Sequence, residues 1–424
     1  MKAINQSIWL LIILGVSLQS SSRLFMRLNQ NFTSMAPAGS PVATHGQLRT
    51  SGNKIVDQSG NPVILRGASL FWSQWAGKWW TPESVAWLTS DWNCSVVRAA
   101  MGVTQGGYQS TPAQSIQMVE TVVAAAMQQG IYVIIDWHIG PEQPQIGLAR
   151  PFWDMMSRKY ANHPAVLFET YNEPGPDWGS IKSYHEQIVP IIRANAKNLI
   201  ILGTPNWSQD VDTAANDRVS GENLAYTLHF YSSVHKQSLR DKADRAMSQG
   251  LALFITEWGP CDNNSPNDYE EADRWLNWAN DHGISTAAWG VYDKNETCAG
   301  LTPGAPSAGW TDSQLTTDGQ YLKNWIKTGK PGSGPHPHPT PSGDGCCSWD
   351  GGNSCGPTTP YCESNAAACG NCKGQWKPNT PPPPPHGNGC CSWDGGNSCG
   401  DTTPYCNSGA QECQGDCRGQ WKSW

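Results

Sequence analysis

Two glutamates stand where a carboxyl has chemistry within reach. Glu173 follows the run VLFETYN and precedes Pro174, and Glu257 follows LFIT and precedes Trp258-Gly259. A charge at the end of a near-continuous apolar run is costly unless it is paired or used. Other polar and aromatic groups end similar runs: Arg98 after SVV, Asp136-Trp137-His138 after YVII, Asn172 beside Glu173, His229-Phe230-Tyr231 after AYTL, and Trp289 after STAA. Two carboxyls in such company suit cleavage of an acetal linkage: one protonates the leaving oxygen while the other attacks the anomeric carbon. Glu173 must then rest protonated, helped by desolvation and by the like charge of Glu257. Glu257 must rest ionised, with Arg98 and Tyr231 as its donors.

To meet, these residues need a scaffold that gathers strand ends. Apolar, β-rich runs occur at 63–70, 95–101, 132–137, 166–171, 199–203, 225–230, 252–256 and 286–292. Their lack of alternation marks strands covered on both faces. Helical patterns at 82–90, 114–129, 184–196, 237–249 and 268–282 separate several of them. Eight strands alternating with helices predict an α/β fold, a (β/α)8 TIM barrel over 43–329, with reactive groups at the C-terminal strand ends. Strands four and seven lie across such a barrel, which suits carboxyls about 5 Å apart, the spacing of a retaining mechanism.

The stretches VVRAAMG, IIDWH, ETYNEP, TLHFYS, FITEWG and AAWGVYDK occur together and in one order. In this the chain resembles glycoside hydrolase family 5, most closely the endo-β-1,4-glucanases of its subfamily 2. The resemblance covers about residues 47–329. It implies Glu173 as acid/base, Glu257 as nucleophile and Asn172 on the 2-hydroxyl of the sugar at the cleavage site. It also implies Arg98, His138, His229 and Tyr231 around the reacting centre, Trp289 as the sugar platform, and Lys294 and Glu296 on glycone hydroxyls. One position departs from the pattern. Where many members carry a His, this chain has Phe71, within Ser69-Leu70-Phe71-Trp72-Ser73-Gln74-Trp75. That bears on one polar contact to the glycone-side sugar and on preferred chain length. The nearest alternatives are a mannanase, xylanase or mixed-linkage glucanase, since only subsite contacts separate them. A non-catalytic carbohydrate-binding wall protein is the alternative outside enzymes, against which the intact Glu pair argues.

Trp is the commonest aromatic, 22 against 12 Tyr and 7 Phe, more indoles than a core needs and well suited to stacking on sugar rings. Trp178, Trp207, Trp72 and Trp75 follow or adjoin strand ends and read either as subsite platforms or as ordinary packing residues, whereas Trp87, Trp92, Trp275 and Trp278 sit at helical spacing and read as core. Asp136 reads as structural, and Glu169, inside a strand, is a weak candidate. Cys261 and Cys298 follow the seventh and eighth strands, where adjacent loops can bring them into bridging distance. Cys94 is then left as a buried, inert thiol.

The remaining cysteines crowd into two copies of one pattern. Cys346, Cys347, Cys355, Cys362, Cys369 and Cys372 recur as Cys390, Cys391, Cys399, Cys406, Cys413 and Cys417. Six per copy predict three disulfides each, of unresolved connectivity, in units too small to fold on burial alone. The expected organisation is a signal peptide over 1–22 with the apolar stretch IWLLIILGV, an arm over 23–42, the barrel over 43–329, a Pro/Gly/His-rich linker over 330–344, repeat one over 345–377, a Pro-rich linker over 378–388, and repeat two over 389–424. The chain is expected to be secreted, which fits its cysteine usage. Outside the signal, sequons stand at Asn31, Asn93, Asn206, Asn263 and Asn295. Exposed aromatics on small disulfide units favour cellulose binding, with two copies adding avidity. A dockerin-like tag for a scaffold protein is the rival. A net charge of −7 argues against nucleic acid and anionic membrane as partners. The expected partner is cellulose or a related β-1,4-glucan, met by a monomer needing no cofactor or metal.

Overall fold

A computed structural model describes residues 36–262 and 265–332, with the backbone of four short strands beyond them. The expected signal peptide, most of the arm, most of both linkers and eight of the twelve tail cysteines lie outside the described residues, as do the sequons at Asn31 and Asn263; Cys346, Cys347, Cys390 and Cys391 are described by their backbone alone. The chain forms two units, 1–336 and 337–424.

In the first unit a short helix α1 (Pro41–His45) leads to an antiparallel hairpin, β1 (Arg49–Ser51) and β2 (Lys54–Val56). Eight parallel strands follow and close on themselves in chain order: β3 (Arg66–Leu70), β4 (Val96–Gly102), β5 (Tyr132–His138), β6 (Val166–Glu169), β7 (Ile200–Leu202), β8 (Leu224–Tyr231), β9 (Leu253–Gly259) and β10 (Ser285–Val291). Each predicted strand has its counterpart, and the barrel is the one the apolar runs implied. Helices lie between and around the strands: α2 (Pro82–Ser90), α3 (Pro112–Gln129), α4 (Ile146–Lys159), α5 (Trp178–Arg193), a single turn α6 (Pro205–Ser208) whose Asn206 and Trp207 are not helical, α7 (Val211–Asn216), α8 (Gln237–Ser248), α9 (Tyr269–His282) and α10 (Thr317–Thr328). Helix α5 starts six residues ahead of the predicted one because Asp177 caps it, accepting from the Gly179 amide.

Strand periodicity sorts the side chains. On β4, Val97, Ala99 and Met101 pack outward against helices. Val96, Ile134, Leu167, Ile201, Ala225 and Phe254 fill the lower barrel instead, with Val42, Leu48 and Ile55 of the N-terminal segment beneath them. The Tyr132 hydroxyl donates to the Gly46 carbonyl at 2.7 Å and ties that plug to β5.

The second unit contains two antiparallel ladders of equal design. β11 (Gly345–Ser348) pairs with β12 (Gln375–Pro378), and β13 (Gly389–Ser392) with β14 (Gln420–Ser423). In each, the second cysteine of the CC pair lies opposite the Trp of GQW: Cys347 faces Trp376, and Cys391 faces Trp421.

Candidate active site

The C-terminal strand ends bring the predicted polar residues together. Arg98, wholly buried on β4, is the hub. It donates from Nε to Glu169 Oε2 at 2.7 Å, from Nη1 to Glu257 Oε2 at 3.0 Å, and from Nη2 to Asn172 Oδ1 at 2.6 Å. Nη2 also lies 2.9 Å from Asp136 Oδ2. One guanidinium thus faces three carboxyls, each of which would be prohibitive to bury alone.

Glu257 reaches this hub through an irregularity in β9. Thr227 pairs with Phe254 but His229 with Glu257, and on the other edge Thr286 pairs with Ile255 but Ala288 with Trp258. One extra residue of β9 is therefore accommodated against both neighbours, a bulge of the kind that re-aims side chains beside active sites. As a result Thr256 and Glu257, consecutive in sequence, both meet groups inside the barrel. Thr256 donates to Glu169 Oε1 at 2.6 Å, while Glu257 Oε1 accepts from the Tyr231 hydroxyl at 2.5 Å. Trp258 turns outward against Phe230 and the α10 residue Trp325.

Glu173 lies beyond the end of β6, on a segment that Gly203 lets pass close over β7: a Cβ on Gly203 would sit 2.1 Å from the Tyr171 carbonyl oxygen. Its Oε1 is 3.0 Å from His229 Nδ1. One ligand atom each from Glu173, His229 and Glu257 falls within 4.8 Å of the others, so the two carboxyls face a single small gap. Such a trio has the donor types of a metal site, but its atoms are engaged otherwise: His229 with Glu173 and Thr256, and Glu257 with Arg98 and Tyr231. Burial above all lifts the Glu173 carboxyl to about 7, against the pull of Arg98. The like charge that assists is that of Glu169, which corrects the expectation that Glu257 supplies it. Burial likewise pushes Asp136 up to about 8 and His229 down to about 4. The arrangement offers a proton donor and a hydrogen-bonded carboxylate across one gap.

His138 completes the wall. Its Nδ1 is 2.7 Å from Asp136 Oδ2, and its ring stacks on Trp289 at 5.3 Å and 12° while Trp72 meets it edge-on at 4.2 Å. Trp289 also touches Phe71, at 5.1 Å between centroids. Lys294 Nζ sits 4.4 Å from the Phe71 centroid and 5.2 Å from that of Trp75, held over both rings as a cation on π-faces. Glu296 stands near the Tyr292 hydroxyl, whose ionisation its charge opposes after the larger effect of burial. Trp75 and Trp207 are exposed, at 47% and 45%, as stacking platforms must be. Trp207 joins the Glu173 segment, its amide donating to the Pro174 carbonyl at 2.9 Å.

Trp178 does not join them. It opens α5 in the core, 8% exposed, with Nε1 donating to the Asp217 carbonyl at 2.9 Å, so it is a packing residue and no platform. Helix capping at Asp177 turned its apolar face inward. Cys261 and Cys298 form a disulfide with Cα atoms 5.4 Å apart, and Cys94 is buried and free. The site residue that sequence reasoning undervalued is Glu169. Its signal was present: a carboxyl two positions after the inward Leu167 must itself point inward.

A parallel eight-stranded barrel with two carboxyls facing across its mouth has the architecture of a glycosidase. The family model described as cellulase, glycosyl hydrolase family 5, matches residues 56–295. Endoglucanase N of Pectobacterium atrosepticum is 39% identical over 312 residues, 71% of this chain and 70% of that protein. Endoglucanase 5 of Pectobacterium carotovorum is 39% identical over 312 residues, 71% of this chain and 62% of that protein. The chain thus spans about two thirds of the length of these curated relatives. The catalytic domain of Thermobifida fusca endoglucanase Cel5A, solved with cellotetraose, superposes with a TM-score of 0.66 at 29% identity, over 68% of this chain and all of that domain. The chain belongs to glycosyl hydrolase family 5.

Proposed function

We propose that the protein is a secreted endo-β-1,4-glucanase that cleaves internal bonds of cellulose with retention of configuration. The observation that carries this is that one carboxyl oxygen of Glu173 comes within 4.8 Å of one of Glu257. Retaining glycosidases hold their carboxyls about 5–5.5 Å apart, whereas inverting ones leave about 6.5–9.5 Å for a water. Glu173 serves as acid/base: protonated at rest, it gives its proton to the leaving oxygen and later takes one from water. Glu257 is the nucleophile, aimed by hydrogen bonds from Arg98 and Tyr231. Asn172, anchored on Arg98, reaches the 2-hydroxyl, and Trp289 stacks beneath the sugar on the glycone side. Lys294 is held by Phe71 and Trp75, and we assign it to the glycone hydroxyls together with Glu296. The names of the relatives support the glucan substrate.

The apolar stretch near the N-terminus and the dense tail cysteines support export to an oxidising environment. We assign the two repeats to cellulose binding, with tandem copies raising effective concentration on an insoluble polymer.

Proton NMR of a cello-oligosaccharide digest tests the mechanism: the β-anomer appears first, and an initial α-anomer overturns retention. Parallel reducing-end assays on carboxymethyl-cellulose, mannan, xylan and mixed-linkage glucan test the substrate, with greatest release expected from cellulose. Equal near-zero release from wild type and Glu257→Gln on all four overturns the enzyme in favour of a binding protein. Retention of the full chain on crystalline cellulose, lost in a chain ending at residue 332, tests the repeats. Equal retention of both overturns that role.

A further inference from the structure

The interior contains a continuous hydrogen-bonded line that begins at Glu173 and ends on groups no substrate reaches. Glu173 Oε1 meets His229 Nδ1 at 3.0 Å, His229 Nε2 meets Thr256 Oγ1 at 3.0 Å, and Thr256 Oγ1 meets Glu169 Oε1 at 2.6 Å. Glu169 is wholly buried and receives Arg98 on both oxygens, with Thr227 Oγ1 at 3.4 Å from Oε1. Donors on both oxygens favour the ionised, acceptor-only form.

The directions of these bonds then follow in turn. A threonine hydroxyl has one proton, and Thr256 gives it to Glu169. Towards His229, Thr256 can only accept, so Nε2 carries the hydrogen. A neutral imidazole has a single N–H, which leaves Nδ1 a bare lone pair facing Glu173. Their 3.0 Å contact is a hydrogen bond only when Glu173 supplies the proton. We propose that Glu169 and Thr256 are positioning residues for the proton of Glu173: through His229 they fix the tautomer that accepts from its protonated carboxyl.

The charged and titratable surroundings are consistent with a neutral His229. Arg98 and His138 oppose its protonation while Glu257 and Glu169 favour it, and burial outweighs all four; His235 also stands near. Glu173 itself feels Arg98, Glu169, Asp136 and Tyr231. Burial first, and then Asp136, raise the Glu169 carboxyl above its ordinary value, and Arg98 pulls it back; the Arg98 donors on both of its oxygens, at 2.7 and 3.3 Å, are the geometry that favours its ionised form. Were Thr256 unable to accept, His229 could turn to its Nδ1–H form and donate to an ionised Glu173. That stabilises the charged carboxylate and lowers its pKa.

The pH arm of the test rests on Glu173 as the acid/base, and the spectroscopic arm does not. In the 15N-histidine-labelled full chain, His229 is assigned by the signals lost in His229→Asn. The expected spectrum shows a protonated Nε2 and an unprotonated Nδ1 across the active pH range. A protonated Nδ1, whether neutral tautomer or imidazolium, overturns the proposal whatever the enzyme acts on. Thr256→Val keeps the shape and removes the hydroxyl, and its basic limb of kcat/KM is expected about one pH unit below that of wild type. Thr256→Ser restores the limb. A Thr256→Val limb that stays in place overturns the proposal, and should that variant fail to fold, the wild-type spectrum decides.

Discussion

Five strands carry two different interiors, one step apart. Val96, Ile134, Leu167, Ala225 and Phe254 line the lower barrel. Two residues further along the same strands stand Arg98, Asp136, Glu169, Thr227 and Thr256. Both sets are buried. The lower one gains free energy from leaving water. The upper one exists only because its members satisfy one another, with the guanidinium of Arg98 holding three carboxyls. A rise of about 7 Å along the strands thus separates stability from chemistry. Two-residue periodicity makes the change possible without altering the fold: the outward positions on either side continue to pack against helices.

If that division is real, substitutions on the two levels should affect different measurements. The largest effect is expected on the upper level. Glu257→Gln keeps the shape but cannot attack the anomeric carbon, so kcat should fall about 10⁴-fold. Its melting temperature should hold, since the new amide oxygen can still accept from Arg98, which keeps Asp136 and Glu169 as partners. Thermal unfolding beside initial rates checks this, and a large loss of stability would erase the distinction between levels.

The converse is Leu167→Ala, two residues before Glu169 and wholly buried. It should cost about 2–5 kcal/mol in denaturant unfolding through lost burial and a cavity. The kcat of the folded fraction should be unchanged. A fall in kcat with intact stability would mean that the lower level also positions the carboxyls.

A third prediction concerns protons. Burial raises Glu173 to about 7, and the protonated form is the one that donates. Activity should therefore persist below that value and fall about tenfold per pH unit above it, as kcat/KM profiles would show. A basic limb centred near the ordinary carboxyl range would show that burial does not govern this group.

The contrast between levels also explains what the sequence disclosed. The barrel was legible because continuous apolar runs mark strands covered on both faces, and all eight were found. Glu173, Glu257 and their neighbours were legible because polar residues ended those runs. Glu169 was harder to read, since it sits before the run ends and its partners Arg98, Thr227 and Thr256 come from three other strands. The β9 bulge was not legible at all: nothing in LFITEWG says that two consecutive side chains turn inward. Trp178 failed for another reason. Proximity to a strand end suggests a platform, yet the Asp177 cap and the Asp217 carbonyl commit that indole to the core.

Trp207 offers the finest test, because it belongs to neither level. Its backbone is left-handed, with φ 56°, in a run that includes Asn206 and Ser208. Strained backbone of this kind persists only where surrounding contacts hold it. Here the Asn206 and Trp207 amides donate to the Gly175 and Pro174 carbonyls, so the exposed indole is fixed to the segment bearing Glu173. A platform built this way should bind sugar on the leaving-group side of the cleavage point. Trp207→Ala should then lower kcat/KM about fivefold, roughly 1 kcal/mol of stacking, on oligosaccharides long enough to reach it. Shorter substrates that end at the cleaved bond should be hydrolysed as by wild type. Equal losses on both would mean that the residue supports the Glu173 segment instead of touching substrate, and the rim would then share the upper level's dependence on mutual contacts.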